Sequence, residues 1–277
     1  MKLLLLTALT MVAFAANSVL NRLALADGAM SAEAFGVLRL VSGAVMLLVL
    51  LALRRQEVSL GGWRRVWPVA ALLAYIFGFS TAYAALAPGF GALILFSVVQ
   101  ATMFLGALVA REDVPPARWA GAGLGLIGLA WLLWPVGGVV LSWPHIFAMA
   151  VAGIGWGLYS LFGRRAGDPL QATALNFAFA AIVAVIWLLM SGGLETWPLK
   201  GVILAAVSGA ITSGLGYALW YHILPALGAT RAAVAQLSVP VIALAGGALL
   251  VDEPLTLRFA LASVLVMGGV LLSLRRG

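Results

Sequence analysis

Polar side chains in the middle of long apolar segments are the residues of this chain that could bind a ligand. Gln100 lies near the centre of the fourth apolar segment, Gln236 in the matching region of the ninth, and Asn17 in the first. A carboxamide both donates and accepts hydrogen bonds, so these side chains suit a ligand that carries an ammonium and a carboxylate group. Hydroxyl groups near them either contact the same ligand or bond to backbone carbonyls of the helices. The candidates are Ser18, Ser97, Ser160, Thr212 and Ser238.

Aromatic side chains lie at helical spacing in two of the segments. Trp156 and Tyr159 are three residues apart in the sixth segment, and Tyr75, Phe79 and Tyr83 follow one face of the third. Such faces either pack in the core and against lipid or contact a ligand. Trp156 lies deeper than the tryptophans at the segment ends, so it is the best candidate for a ring that stacks on a ligand. Phe79, Tyr83 and Tyr159 are added to the predicted site.

Arg39 lies about a third of the way into the second apolar segment. A guanidinium at that depth either binds the carboxylate of a ligand bidentately or extends toward the surface and binds backbone carbonyls. The corresponding part of the second half of the chain is apolar, so this charge has no repeat-related partner. Arg39 is therefore a candidate carboxylate-binding residue.

The elements that must position these residues are membrane helices. Apolar residues make up 64% of the chain and charged residues 9%, which is far too few charges for a soluble globule. Runs of about 20 apolar residues predict an all-α polytopic membrane protein with ten transmembrane helices. We place them near residues 3–23, 32–53, 66–86, 89–110, 116–134, 144–164, 170–191, 200–222, 229–250 and 256–274.

Basic residues are distributed unequally between the two sides of this topology. Of the 16 lysines and arginines, only four lie on or toward the side opposite the termini. These four are Arg22, Arg39, Lys200 and Arg258. The bias predicts that both termini are cytoplasmic, in the plasma (inner) membrane of a bacterium. The excess positive charge is thus a topology signal, and no nucleic-acid partner is predicted.

The two halves of the chain repeat one another at an offset of about 141 residues. Four residues recur in order: Ser97, Gly106, Glu112 and Gly128 match Ser238, Gly247, Glu253 and Gly269. Each half contains an odd number of apolar segments, so the copies must have opposite orientations in the membrane. Inverted repeats of this kind form carriers with a central site. The sequence predicts two five-helix repeats, residues 1–137 and 138–277, around a central cavity.

Pro240 is predicted to lie in the middle of the ninth helix. A proline there leaves the carbonyl of Gln236 without its helical partner and bends the helix. The bend is either a tolerated kink or a hinge for a gate. The repeat-related residue is Val99, so the two halves are not mechanically equivalent.

The sequence lacks residues that proton coupling, catalysis or metal binding would require. All nine acidic residues lie in loops or at segment ends, and His145 and His222 also lie at segment ends. Proton-coupled exchange usually needs an ionisable group within the membrane, so the pattern favours movement of a solute down its gradient. No catalytic combination occurs within the segments, and cysteine is absent. We therefore predict neither an enzyme nor a cofactor or metal site.

Several local motifs in this order resemble one known family. They are the glycine-rich stretch before a glutamate in each half (Gly106 to Glu112, Gly247 to Glu253), Arg39, Trp156-Gly157, Ser238-Val239-Pro240, and Asp252-Glu253-Pro254 before Leu-x-x-Arg-Phe. The set is similar to the drug/metabolite transporter superfamily, and within it to the ten-helix EamA-type exporters. The resemblance covers nearly the whole chain. It implies a basket of helices around a central cavity that opens alternately to either side.

Within that superfamily the chain resembles the YddG-type exporters of aromatic amino acids in overall similarity, without a diagnostic motif. The resulting prediction is a monomeric carrier that exports amino acids, including large neutral and aromatic ones, without ATP. The alternative is a carrier of drugs or nucleotide sugars from the same superfamily. Phosphate-bearing cargo would require several basic residues in the cavity, and only Arg39 qualifies. Trp156→Ala or Gln100→Ala is expected to reduce flux and leave folding intact.

Overall fold

The structure is a computed structural model that describes residues 1–25, 30–54, 59–60, 62–83, 86, 88–134, 142–191, 197–251 and 257–274. All regular structure in these ranges is helical. The first half contains α1 (Lys2–Leu25), α2 (Ala32–Leu53), a short 3₁₀ turn (Trp63–Arg65), α3 (Val66–Tyr83), α4 (Pro88–Val109) and α5 (Pro116–Leu133). The second contains α6 (Trp143–Gly163), α7 (Pro169–Met190), α8 (Leu199–Val207), a π-helical segment (Ser208–Leu215), α9 (Gly216–Leu227), α10 (Ala229–Gln236), α11 (Ser238–Val251) and α12 (Leu257–Leu274).

Seven helical segments among the described residues are long and apolar enough to cross a membrane. They are Lys2–Leu25, Ala32–Leu53, Trp63–Ala82, Gly91–Val109, Trp143–Gly163, Pro169–Met190 and Leu199–Leu227. The remaining predicted spans correspond to α5, to α10 with α11, and to α12, which are also helical. The chain is a polytopic, all-helical membrane protein.

Local sequence signals set the starts of the helices. Ser31 precedes α2 and its side chain accepts a hydrogen bond from the Ala34 amide at 3.2 Å. Asp168 does the same for α7, accepting from the Gln171 amide at 2.8 Å, and Pro169 follows it as the first helical residue. Such caps satisfy amides that have no partner within the helix. The helices therefore begin where the sequence predicts.

The predicted eighth and ninth helices depart from simple spans. The eighth contains the π-helical segment, and it continues to Leu227 instead of ending at residue 222. Pro225, which falls between the predicted eighth and ninth helices, consequently lies inside α9. The helix ends at Gly228, whose φ of 74° is in the left-handed region and favours glycine. Gly228 and not Pro225 therefore ends α9.

Helix packing joins the two halves of the chain through many pairs. α3 and α4 pack on α6, α2 packs on α7 and on the π-helical segment, and α5 packs on α12. α1 packs on α8, α9 and α11. Trp156, Tyr159 and Tyr217 belong to the large buried cluster that these contacts form. The core of the molecule is therefore shared between the halves.

Small residues allow α5 and α12 to approach closely. A Cβ at Gly121 would lie 2.5 Å from the carbonyl oxygen of Gly269 and 3.0 Å from the Cβ of Ser273. A Cβ at Gly123, on another face of α5, would have nothing within 4 Å. Close backbone contact of this kind drives helix association in lipid, where the hydrophobic effect does not.

We expect Gly121→Ala to lower the free energy of unfolding by about 1–3 kcal/mol, because the added methyl group meets backbone that cannot move cheaply. Gly123→Ala is the matched control and should be neutral, or stabilising by up to about 1 kcal/mol through helix propensity. Thermal unfolding of both variants in detergent measures the difference. Equal stabilities would show that the α5–α12 contact does not constrain the fold.

Candidate functional site

The centre of the buried cluster is the ring of Trp156 on α6. Its centroid lies 4.7 Å from that of Tyr217, 4.9 Å from Tyr75, 5.3 Å from Phe14 and 5.8 Å from Tyr159, the last in a stacked arrangement. These rings come from α1, α3, α6 and α9, so four helices meet here. Trp156 is buried as predicted, but other rings surround it in this conformation. A ligand that stacks on it must displace one of them.

Gln236 holds the polar edge of Trp156. The indole Nε1 donates to Gln236 Oε1 at 2.5 Å, and Gln236 Nε2 donates to Met103 Sδ at 3.3 Å and to the Ala232 carbonyl at 3.4 Å. Gln236 is fully buried. It is the last residue of α10, so the amide lies where the ninth predicted helix is interrupted.

The interruption follows from Pro240. The sequence predicts this proline in the middle of one helix, but a new helix begins at Ser238 and makes Pro240 its third residue. Proline cannot donate to the carbonyl four residues earlier, and its ring clashes with that carbonyl, which belongs to Gln236. The chain responds by breaking at Leu237, so Pro240 lies in a first turn, where its missing N–H costs little. Its role as a hinge stays a prediction.

Arg39 points into the protein and not toward the surface. Its guanidinium donates from Nε to Ser213 Oγ at 2.7 Å and from Nη2 to Tyr217 Oη at 2.5 Å. The ring centroids of Tyr75 and Tyr217 lie 5.8 and 6.0 Å from its Cζ. The side chain is 2% exposed, and no carboxylate among the described residues forms an ion pair with it. Arg39 is therefore a buried cation whose partners are neutral hydroxyl groups and rings.

The π-helical segment brings the hydroxyl groups to α1 and α2. Ser208 donates to Asn17 Oδ1 and Thr212 approaches the same atom at 3.3 Å. A Cβ at Gly209 would lie 2.2 Å from the Arg39 carbonyl oxygen, so only glycine allows this approach. The Asn17 amide and the Arg39 guanidinium are thus bound by neighbouring turns of one segment. π-helical turns of this kind are frequent at functional sites.

Gln100 differs from the other buried amides because its side chain has no partner. Its Nε2 and Oε1 are both buried and without a hydrogen bond among the described residues, and the residue is 4% exposed. It lies one turn before Met103, which contacts Gln236. A buried polar group that lacks a hydrogen bond costs about 1–3 kcal/mol. Such a group in the core of a membrane protein is a candidate contact for a bound molecule.

We expect Gln100→Leu to raise the free energy of unfolding by about 1–3 kcal/mol, since it removes that cost, and to lower transport flux about tenfold. Thr102→Val is the matched control on the same helix, because the Thr102 hydroxyl already bonds to the Val98 carbonyl at 2.8 Å. Thermal unfolding and flux in liposomes are measured on both variants. A Gln100→Leu protein with full flux would remove Gln100 from the site.

Three other predicted residues, Ser160, Ser238 and Phe79, make contacts within the protein. Ser160 and Ser238 are buried and bonded within the protein: Ser160 Oγ accepts from Trp220 Nε1 at 3.0 Å, and Ser238 Oγ donates to the Ala235 carbonyl at 2.7 Å. Phe79 is buried, 5.5 Å from Tyr75 between ring centroids. These contacts are of the kind expected if the three side chains pack and bond within the protein and do not bind a ligand.

Three predicted residues are not part of the buried cluster as described. Ser18 is exposed on α1 and Ser97 is half-buried on α4. The side chain of Tyr83 lies outside the described part of the chain. Their contact with a ligand stays a prediction.

The aromatic face of α9 was not among the predicted site residues. Tyr217, Trp220 and Tyr221 are fully buried and recur at i, i+3 and i+4. Tyr217 contacts both Arg39 and Trp156, so it links the charged and aromatic parts of the site. The spacing was visible in the sequence and could have indicated this face.

An ion pair joins two helix connections at one end of the molecule. Arg164, which follows α6, bonds to Glu112 in the α4–α5 connection. The Glu112 carboxylate also lies against Gly228, where α9 ends and α10 begins. Three connections therefore meet at a single carboxylate. This end lies on the side that the charge bias assigns to the cytoplasm.

The membrane helices enclose a buried cation, the partnerless amide of Gln100 and a cluster of rings, an arrangement typical of a helical membrane transporter. No group of histidine, aspartate or glutamate residues in the described ranges could hold a metal ion. Residues 143–275 match the EamA-like transporter family. The chain is 46% identical over 279 residues to an uncharacterized protein of Pseudomonas aeruginosa, an alignment that covers 98% of this chain and 94% of that protein. The chain belongs to the EamA-like transporter family.

More distant relatives agree with this assignment. A probable amino-acid metabolite efflux pump of Salmonella typhimurium is 26% identical over 196 residues, 66% of each chain. An uncharacterized transporter of Archaeoglobus fulgidus is 26% identical over 180 residues, 63% of each chain. A crystal structure with 22% sequence identity superposes with a TM-score of 0.77 over 95% of this chain and 97% of that one, which shows the fold alone. The predicted membership of the drug/metabolite transporter superfamily is confirmed.

Proposed function

We propose that this transporter exports amino acids, including large neutral and aromatic ones, by alternating access and without ATP. The observation that carries the proposal is Arg39, a buried guanidinium with no carboxylate partner among the described residues. An unpaired charge within a membrane protein is costly and usually functional. The carboxylate of an amino acid supplies the missing counter-ion.

The surroundings of Arg39 suit the rest of such a cargo. The Trp156 ring cluster offers aromatic faces to an apolar or aromatic side chain, and Tyr217 connects that cluster to Arg39. The partnerless carboxamide of Gln100 offers an acceptor for an ammonium group. The relative from Salmonella typhimurium is named an amino-acid metabolite efflux pump, which supports the same class of cargo.

The proposed architecture is ten membrane-crossing helices in two inverted repeats, residues 1–137 and 138–277, around a central cavity. When each helix is replaced by its counterpart in the other half, every major helix contact corresponds to another contact that the structure contains. This correspondence supports the repeat. The contact of α3 with α6 corresponds to the contact of α8 and α9 with α1. The contact of α4 with α6 corresponds to the contact of α11 with α1. The contact between α2 and α7 and the contact between α5 and α12 each correspond to themselves.

Single residues support the same relation at an offset of 141. Gly121 meets Gly269 across the α5–α12 contact, and Gly128 meets the Ala262 carbonyl there. The differences 262 − 121 and 269 − 128 both equal 141, so one contact is the repeat-related copy of the other. The family match at residues 143–275 falls within the second repeat.

The proposed orientation places both termini in the cytoplasm of a bacterium, in its inner membrane, and the carrier works as a monomer. The pair of Glu112 and Arg164 then lies at the cytoplasmic end. The chain contains no cysteine, so single cysteines report on sidedness directly. A membrane-impermeant maleimide applied to intact cells should label Leu199→Cys and not Leu60→Cys, both exposed positions. Labelling of Leu60→Cys and not of Leu199→Cys would show that the chain has the opposite orientation.

Counterflow in liposomes tests the cargo. Purified protein in vesicles loaded with an unlabelled aromatic amino acid should accumulate the labelled one without ATP, at least tenfold above protein-free vesicles. A panel of unlabelled solutes inside the vesicles ranks the alternatives: other amino acids, nucleotide sugars and cationic drugs. Exchange driven only by a nucleotide sugar or a drug would replace the amino-acid proposal by the alternative within the superfamily.

A further inference from the structure

A groove of about 660 Å³ opens on the outer surface of the helices, away from the Trp156 cluster. Its walls come from α2, α7 and α9, and its apolar lining includes Leu50, Leu53, Leu215 and Leu219. Leu53 and Leu215 are exposed at the surface, where the neighbouring medium is lipid. The groove is therefore open to the acyl chains of the bilayer.

Arg54 lines one end of the groove, and Asp168, just before the lining residue Pro169, is the ion-pair partner of Arg54 beside it. Arg54, just after α2, lies 3.4 Å from Asp168 before α7, between Nη1 and Oδ2, with the side chains 52% and 31% exposed. His222 on α9 lines the same end. Arg54 has four further N–H donors, and Asp168 uses one oxygen for the Gln171 amide and the other for Arg54. Both groups retain capacity for a ligand with opposite charges.

The groove is long enough for the part of one acyl chain nearest the headgroup, in a phospholipid that stands along the helices. From His222 at the polar end to Leu215 at the deep end is seven residues of helical chain, or roughly 10 Å at 1.5 Å per residue. The charged end coincides with the ends of α2 and α7, which is where headgroups lie. An acyl chain can follow the leucines while the headgroup stays beside Arg54.

We propose that this groove binds a zwitterionic aminophospholipid. The phosphate binds Arg54, with His222 beside it, the ammonium binds Asp168, and one acyl chain occupies the apolar groove. An anionic headgroup without an ammonium fits less well, because Asp168 neutralises Arg54 and repels a second negative charge. Methylation of the ammonium removes the N–H donors that Asp168 accepts from, so an ethanolamine headgroup is preferred over choline.

Native mass spectrometry of the delipidated full-length chain tests the site with three dioleoyl lipids that share acyl chains: phosphatidylethanolamine, phosphatidylcholine and phosphatidylglycerol. We expect phosphatidylethanolamine to bind at least threefold more than either of the others. Asp168→Asn, which keeps a good helix cap, should reduce phosphatidylethanolamine to the level of phosphatidylcholine. Arg54→Gln should lower binding of all three about fivefold.

Two further variants separate the groove from general surface binding. Ala218→Phe fills the groove and should lower binding of all three lipids, whereas Arg64→Gln removes an exposed arginine outside it and should change nothing. Equal binding of the three lipids, a preference for phosphatidylglycerol, or wild-type binding by both Arg54→Gln and Asp168→Asn would overturn the proposal. The site depends on the membrane fold and not on the cargo, and its readout is bound lipid, so a negative counterflow result leaves it standing.

Discussion

Arg39→Met should lower the flux of an amino acid about 100-fold and leave the protein folded. Loss of one partner from a buried, hydrogen-bonded charge pair costs about 2–5 kcal/mol, and about 2.8 kcal/mol corresponds to two orders of magnitude. The effect is expected on cargo with a carboxylate, because Arg39 has no carboxylate partner in the described protein. Counterflow of a labelled aromatic amino acid measures it.

Stability distinguishes this role from a structural one. Removal of a buried cation relieves a desolvation cost, whereas Ser213 and Tyr217 lose their partner at about 1–3 kcal/mol for each group left unsatisfied. These terms oppose each other, so we expect a change in unfolding free energy within about 2 kcal/mol. A protein that unfolds on substitution would show that Arg39 holds the helices together and does not primarily bind cargo.

Two comparisons sharpen the result. Arg39→Lys keeps the charge but loses the planar fork that binds a carboxylate at two points, so we expect it to recover only part of the flux. The decarboxylated amine of the same cargo has no group for Arg39 to bind. This amine should compete only weakly with the labelled amino acid in the wild-type protein. We expect it to compete equally weakly for the flux that remains in Arg39→Met. Loss of that competition as well would argue against a carboxylate site.

Trp156→Ala should have the second large effect, and it should act on the fold as well as on transport. The substitution leaves a cavity among the rings of Phe14, Tyr75 and Tyr217, and truncation of a buried tryptophan costs about 3–5 kcal/mol. It also removes the donor to Gln236 Oε1. The sequence-based expectation that this variant folds normally is therefore revised, because the ring is a central packing element.

Trp156→Phe separates the two roles of the ring. Phenylalanine keeps an aromatic face but has no N–H, so the Gln236 contact is lost while most of the packing remains. We expect a folded protein with flux reduced about tenfold, near the 1.4 kcal/mol of one hydrogen bond. Trp63→Ala, at a site 72% exposed, controls for loss of a tryptophan and should change stability little. Full flux in Trp156→Phe would exclude the indole N–H from transport.

The sequence could predict much of the fold because hydropathy and helix punctuation are local. Long apolar runs must form helices in lipid, where every backbone group needs an internal partner, and the residues before α2 and α7 are good caps. The sequence did not predict the π-helical segment, and it predicted a bend in the ninth helix but not a break at Leu237. Both depend on contacts with other helices: Gly209 against Arg39, and Gln236 against Trp156.

The candidate site was predicted as a set of residues but not as an arrangement. Gln100, Trp156 and Gln236 were selected by residue type and depth, and the structure places them in the buried interior. Their partners come from far along the chain: Gln236 is 80 residues from Trp156, and Tyr217 is 178 from Arg39. No local pattern encodes such pairs.

The amino-acid sequence by itself determined that this chain is a bundle of membrane helices with polar groups at mid-depth, since only hydrocarbon accommodates so many apolar residues. The tertiary structure decided which face of each helix points inward. Lipid is as apolar as the protein core, so hydrophobicity does not distinguish the face of α1 that buries Asn17 from the face that exposes Ser18. That choice depends on the fit of small residues between neighbouring helices, such as Gly209 against α2, and it became visible only when the helices were packed.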